Sequence, residues 1–419
     1  MDKLLLQRIM LDNQKEVDAQ QVVARNISFE DFDRYVLVGI RRAGKSYLLY
    51  QQMQKLLSEG HGWDEMLYFN FEDERLEGFT TQDFNLILEA HFEMYNKRPM
   101  LFLDEIQNIP AWEKFARRLA DSKYKVFITG SNAKMLSSDI QTTLGGRYIP
   151  INVYPYSFEE FLDVCQVPHD KLSLISTEGK ARMVNRLNDY FHHGGFPECA
   201  LMKAKRDYLL SVYQKIYLND VVARNGITNI FGLKVMIKKM AESVKQPISF
   251  SRIANIVSST GTKLSTTSAV KYMEYMEASW LVTKVTNMAA KLADKESNAK
   301  YYFTDNGILD LFLIDADTSL LENLVASDLI RRYGREDAVF FYNKGIEVDF
   351  YVPEEELAIQ VSYSIKDEDT RKREVKALQA IEKVLPCKRR LMITYDEEDV
   401  WQLSSEGIEV VPLWRWLLR

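Results

Sequence analysis

Eight residues, Gly39-Ile40-Arg41-Arg42-Ala43-Gly44-Lys45-Ser46, fit the spacing G-x-x-x-x-G-K-[ST] without exception. The spacing has a chemical reason. Glycines let the backbone curl so that successive N–H groups face an anion, and a following helix adds the positive end of its dipole. Lys45 then reaches the β- and γ-phosphates of a nucleotide, and Ser46 offers a hydroxyl to Mg²⁺. The nucleotide-contacting stretch is read as Gly39 through Tyr47. A second group, Asp104-Glu105, ends the apolar run Met100-Leu-Phe-Leu103. Asp104 is expected to hold Mg²⁺ and Glu105 to activate water, the division of labour that phosphoryl transfer to water needs. A third run ends in Ile128-Thr-Gly-Ser-Asn132, where Asn132, with Ser131 as second choice, is placed to sense the γ-phosphate. Arg147, after Leu144-Gly-Gly, is a candidate arginine finger for this chain's site or a neighbour's. No N-K-x-D element of the kind that reads guanine is present, which favours adenine.

These groups need a scaffold, and the surrounding pattern supplies one. Apolar runs at 34–39, 66–71, 100–103 and 125–129 read as buried strands. The stretches between them, 45–57, 84–95 and 112–119, carry apolar residues at helical spacing. Strands alternating with helices predict a mainly parallel sheet covered on both faces. The strand ending in Asp104 is expected to neighbour the one that enters the phosphate loop.

The pattern changes after about residue 151. Residues 156–225 read as mostly helical. Residues 230–305 show three helical stretches and then two strands, 280–285 and 300–303, with Lys284, Lys291, Lys295 and Lys300 around them. Helix, turn, polar-tipped second helix and basic strand pair make the layout of a winged helix. That layout suits contact with double-stranded DNA across residues 249–300, or service as a protein-binding or lid module. Beyond residue 320 a helix precedes strands at 339–342, 348–352 and 357–361, and the helix 371–384 precedes a strand at 390–394. Glu322, Asp349 and Gln360-Val-Ser362 stand where a PD-(D/E)xK nuclease core wants acids and a lysine. With Gln and Ser at the last two positions, the expected result is a nuclease-like shape without cleavage, unless Lys366 folds back to serve.

Composition bounds the answer. The 419 residues are 46% hydrophobic and 27% charged, which excludes a largely disordered chain, and no apolar run is long enough to span a membrane. The N-terminus lacks the apolar core of a secretory signal, and Cys165, Cys199 and Cys387 are scattered, which points to the cytoplasm. Net charge is −6, yet residues 206–305 hold 14 Lys and Arg against 8 Asp and Glu. That one basic region in an acidic chain is what turns attention to nucleic acid.

Several landmarks together resemble a family of prokaryotic AAA-type ATPases with a C-terminal domain of unknown function. They are GIRRAGKS (39–46), FLDEIQNIPAWEKF (102–115), ITGSN (128–132), LGGR (144–147), YPYSFEEFL (154–162), GGFPE (194–198) and YYFTDNG (301–307). The resemblance covers nearly the whole chain. It implies an ATP-binding α/β domain over 1–155, a helical region over 156–229, a winged-helix region over 230–305 and a nuclease-like α/β domain over 306–419. It implies ATP and Mg²⁺ as ligands, and self-association is expected if Arg147 acts across subunits.

Overall fold

The computed structural model describes the chain except residues 31–33, 137, 292–294, 296–297, 335–336, 399–402 and 404–405. It divides into two compact units, Met1–Tyr154 with Ala278–Trp280, and Pro155–Glu277 with Leu281–Arg419.

The first unit opens with helix α1 (Lys3–Ala19). Asp2 caps it by accepting the Leu4 N–H, and Leu6, Ile9, Met10, Asn13 and Val17 form its buried stripe. Then follow β1 (Arg34–Val38), α2 (Lys45–Ser58), β2 (Met66–Asn70), α3 (Phe84–Tyr95), β3 (Met100–Asp104), α4 (Trp112–Asp121), β4 (Val126–Gly130), α5 (Ser138–Leu144) and β5 (Ile149–Asn152). The strands form one parallel sheet in the order β2-β3-β4-β1-β5. From β1 to β4 they are apolar and buried along nearly their whole length, as a sheet covered on both faces requires. The edge strand β5 is more exposed, and the sequence reading did not separate it.

One expectation needs correction. The strand carrying Asp104 does not neighbour the strand that enters the phosphate loop, because β4 lies between them. The loop and the two acids are therefore two strand spacings apart, about 10 Å.

The second unit begins with helices α6 (Phe158–Val164), α7 (Lys171–Ile175), α8 (Thr177–His193) and α9 (Lys205–Lys215), which runs into a π-helical stretch at Ile216–Ala223. Helices α10 (Ile230–Glu242), α11 (Phe250–Ser259) and α12 (Thr266–Ala278) follow at the three predicted helical stretches. Next come β6 (Val282–Asn287), β7 (Lys300–Phe303), α13 (Asn306–Asp310), α14 (Asp317–Tyr333), β8 (Phe340–Asn343), β9 (Glu347–Val352), β10 (Leu357–Val361), α15 (Glu368–Ile381), β11 (Arg389–Thr394), β12 (Glu409–Pro412) and α16 (Leu413–Leu417). The strands make one mixed sheet in the order β12-β11-β10-β9-β8-β6-β7.

The strand pair expected as a wing is present, with Val282 opposite Phe303 and Val285 opposite Lys300. It is not free-standing. β6 runs on and pairs in parallel with β8 through Thr286 and Asn287, so the pair is the edge of the seven-stranded sheet. Part of the lysine-bearing connection, 292–294 and 296–297, lies outside the described residues.

The GGFPE and YYFTDNG landmarks meet in this unit. The buried Asp305 carboxylate accepts the Gly195 N–H at 2.7 Å and the Gly307 N–H at 2.9 Å. Burial pushes its pKa up to about 6 despite those donors. Among the described residues no helix is long and apolar enough to cross a membrane.

Candidate nucleotide site

The phosphate loop leaves β1 at Gly39. A Cβ there would lie 1.9 Å from the Val153 carbonyl oxygen, so only glycine fits. Gly44, at φ +91°, turns the chain into α2 and occupies its N-cap. Lys45, on the first turn of that helix, is buried. Its ammonium donates to the carbonyls of Gly39 at 3.1 Å and Ile40 at 3.2 Å, and lies 3.4 Å from Glu105 Oε1. The lysine thus spans the curl of its own loop and faces a carboxylate at the far side of the gap.

The rest of the loop is held from outside. Ile40 and Ala43 are buried. The Ala43 carbonyl accepts from Arg25 Nη1 at 3.0 Å, and the Arg25 backbone is clasped by the Gln51 amide of α2. Arg41 pairs with Glu72 at 2.7 Å, and Arg42 sits at φ +66°. Tyr47 is largely exposed and its hydroxyl donates to Gln20. Arg25 has no motif around it and was not legible as part of a site.

Asp104 and Glu105 end β3 in different surroundings. Asp104 is enclosed. Its carboxylate accepts from the hydroxyls of Tyr68, at 2.9 Å, and Thr129, and is hydrogen-bonded to Ser46. Burial, with the Glu105 charge beside it, raises its pKa. For Glu105, burial works in the same direction, but Lys45, the Gln107 amide and Arg41 outweigh it, and the pKa falls below its ordinary value. Glu105 is therefore ionised at neutral pH, as a base must be. The intervening strand links the two acids. The Thr129 hydroxyl accepts the Glu105 N–H at 2.9 Å and donates to Asp104.

The remaining expected site residues, Asn132 and Arg147, make other contacts. Asn132 spends its side-chain oxygen on the Lys134 N–H in a local turn, whereas Ser131, its neighbour, hydrogen-bonds to Glu105 and to Gln107. Arg147 precedes β5, at the end of the sheet where the strands begin. It pairs with Asp121 at 2.6 Å, and its carbonyl accepts from Arg34, the first residue of β1. The length of β1, about 13 Å, separates that end from the loop. The structure does not bring Arg147 to this chain's own site.

In the second unit the nuclease-like positions do meet. Glu322 of α14 and Asp349 of β9 approach one ammonium, that of Lys300, at 3.2 and 3.7 Å. Tyr302 donates to Glu322 at 2.7 Å, and Asp349 accepts the Val361 N–H at 2.9 Å. Gln360 accepts the Asp349 N–H at 2.8 Å and donates to Glu374. Burial opposes the charge on Lys300, but Glu322 and Asp349 hold it protonated, while burial pushes Glu322 up to about 7. This overturns the reading of Lys300 as a phosphate-contacting lysine, because its side chain is only 1% exposed. The fold-back of Lys366 fails too. Its side chain is 83% exposed and its ammonium points at Glu397. Among the described residues no group of three or more His, Cys, Asp or Glu is arranged to hold a metal ion.

Residues 31–162 match the family described as an AAA domain, and residues 184–319 match a domain of unknown function (DUF8612). An uncharacterized protein of Methanocaldococcus jannaschii is 33% identical over 430 residues, covering 99% of this chain and 96% of its own. An uncharacterized protein of Haemophilus influenzae is 29% identical over 96% of this chain and 99% of its own. Among solved structures, a Walker-type ATPase of Pyrococcus abyssi aligns with 75% of this chain and 96% of its own at 14% identity and a TM-score of 0.39. The parallel sheet, the loop at the end of β1 and the full-length likeness to the archaeal protein agree, and the chain belongs to that family of AAA-domain proteins.

Proposed function

We propose that the protein is a cytoplasmic, Mg²⁺-dependent ATPase whose hydrolysis drives rearrangement of the rest of the chain. One observation carries the reading: Lys45 and Ser46 on one side, and Asp104 and Glu105 on the other, face each other across a two-strand gap at the ends of a parallel sheet. The loop N–H groups and Lys45 bind the phosphates. Ser46 and Asp104, joined by a hydrogen bond, offer the hard oxygens that suit Mg²⁺, which takes few protein ligands and completes its shell with phosphate and water. Bound there, Mg²⁺ supplies charge to the β- and γ-phosphate oxygens. Glu105 takes a proton from a water whose oxygen attacks the γ-phosphorus. The bond to the β–γ bridging oxygen breaks, and ADP and phosphate leave.

The test compares the wild type with Glu105→Gln for ATP binding and phosphate release. Retained binding with release lost supports hydrolysis, whereas equal slow release supports a nucleotide-gated regulatory module. Arg147, far from its own site and partly exposed, is the residue a second copy would supply. Light scattering with and without ATP–Mg²⁺ tests that role. The Lys300-filled cluster supports a nuclease-like fold that does not cut. Metal-dependent nicking of plasmid DNA that Asp349→Ala abolishes would overturn this.

A DNA contact is the second reading. It is favoured by the exposed Ser265, Thr266 and Thr267 at the start of α12, flanked by exposed Lys263 and Lys271. No DNA binding by the wild type would rule it out, and binding that K263E/K271E leaves unchanged would rule out contact through this surface.

A further inference from the structure

Glu105 is gripped from two sides. One oxygen faces Lys45, and the other accepts from Gln107 Nε2 at 2.5 Å. The grip is built into the backbone. Glu105 sits at φ +50°, a left-handed conformation uncommon outside glycine, and a short 3₁₀ turn, Ile106–Asn108, follows at once. The kink brings the side chain two residues along the chain back over the carboxylate. Strain of this kind persists only where the surroundings hold it.

The neighbouring strand makes room for the amide. A Cβ on Gly130, at the end of β4, would lie 2.5 Å from Gln107 Oε1 and 1.9 Å from the Met135 sulfur. Ser131 lies 3.4 Å from Gln107 Nε2 on the same side. The Gln107 oxygen is buried and without a hydrogen-bond partner. Turning the amide over would set that oxygen against the Glu105 carboxylate, so its orientation is fixed. A buried acceptor left unpaired costs folding free energy. Leucine or methionine at 107 would avoid that cost, so the sequence keeps glutamine for what its NH₂ group holds.

We propose that Gln107 is a positioning residue for ATP hydrolysis: its amide keeps the Glu105 carboxylate aimed across the gap once Lys45 turns to the phosphates. Before nucleotide arrives, Lys45, Gln107 and the Ser131 hydroxyl share the carboxylate. The γ-phosphate competes for Lys45, and the amide, with Ser131 beside it, then remains as the anchor that stops the freed carboxylate from swinging. Gln107 does not touch the phosphates, so it acts on the chemical step and not on binding.

This inference rests on the ATPase reading, and the experiment separates the two. Steady-state phosphate release and equilibrium binding of a fluorescent ATP analogue are measured for wild type, Gln107→Leu, Gln107→Met, Glu105→Gln and Glu105→Gln/Gln107→Leu. Misaiming a catalytic group by about 1 Å costs about 10²-fold, so kcat of Gln107→Leu is expected to fall by about 10- to 100-fold. KM, analogue affinity and melting temperature should stay close to wild type. In the Glu105→Gln background the same substitution should do nothing more, because the group it positions is already gone. Gln107→Met keeps the length of the side chain and should repeat the kcat loss if the leucine variant folds poorly. A kcat within twofold of wild type in either variant overturns the proposal. So does a loss that appears equally in KM and melting temperature, or a further loss in the Glu105→Gln background. Absent turnover in the wild type instead overturns the ATPase reading and this inference with it.

Discussion

The two units each bury a lysine against carboxylates at a sheet, and they use the pair in opposite ways. Lys45 divides its ammonium among two loop carbonyls and one carboxylate at 3.4 Å. All three contacts are ones that phosphate oxygens can replace, on a helix whose dipole already favours an anion. Lys300 is held by Glu322 and Asp349, and those acids are tied in turn to Tyr302 and the Val361 N–H. The Lys300 ammonium fills the place between the two acids where a cation would sit. A buried ion pair adds little net stability over an apolar pair, yet breaking one by removing a partner is costly. A lysine with exchangeable partners serves chemistry, and one with locked partners serves the fold.

Substitutions at the two lysines should break the comparison along that line. Lys300→Met strands the buried Glu322 and the half-buried Asp349, and a loss of about 3–5 kcal/mol in unfolding free energy is expected by denaturant titration. If stability is unchanged, the ammonium is not what holds the cluster. Lys45→Ala leaves Glu105 with the Gln107 and Ser131 hydrogen bonds, so it should lower the melting temperature less than Lys300→Met does, while turnover falls by about 10²–10³-fold, the scale of removing one preorganised charge stabiliser. Wild-type affinity and turnover in that variant would remove the basis of the nucleotide site. Ligands sharpen the contrast. Saturating ATP–Mg²⁺, at about 100 times its dissociation constant, should add about 2.7 kcal/mol and raise the melting temperature. Mg²⁺ or Mn²⁺ alone should not raise it, because the cation place in the second unit is filled by Lys300.

The smallest effect concerns pH. The folded-state pKa of Glu322, about 7, lies above its ordinary 4.5. Its contribution is fully present below pH 4.5 and is lost as pH rises through 7. Between pH 5 and 7 the wild type should lose about 2 kcal/mol that Glu322→Gln retains. Parallel stability curves for the two proteins would show that the carboxyl is not perturbed.

The first unit was the more legible in sequence, for a physical reason. Its function depends on backbone geometry, and the residues that permit that geometry, Gly39 and Gly44, are local in the chain. The two acids stood out too, because together they end one apolar run. What sequence did not reveal was set by sheet order. Inserting β4 between β1 and β3 made Thr129 the hydroxyl that joins Asp104 to Glu105, and brought the Ser131 hydroxyl to Glu105. Gln107 was visible only as part of a landmark, since its contact with Glu105 depends on a left-handed kink that no spacing rule supplies. Lys300 was misread because a lysine beside a strand pair reads as exposed until β6 is found paired to β8.

The carboxylate of Asp305 makes the second unit hard to cut. It fastens Gly195 and Gly307, residues more than a hundred positions apart, at one buried point, while β6 draws its inner partner from beyond residue 339. A fragment that begins near residue 230 would take the Gly195 donor from a buried acid, and one that stops near 305 would also bare the edge of β6. Limited proteolysis should accordingly leave this half in one piece, and attempts to express its helices apart from its sheet should give insoluble chains.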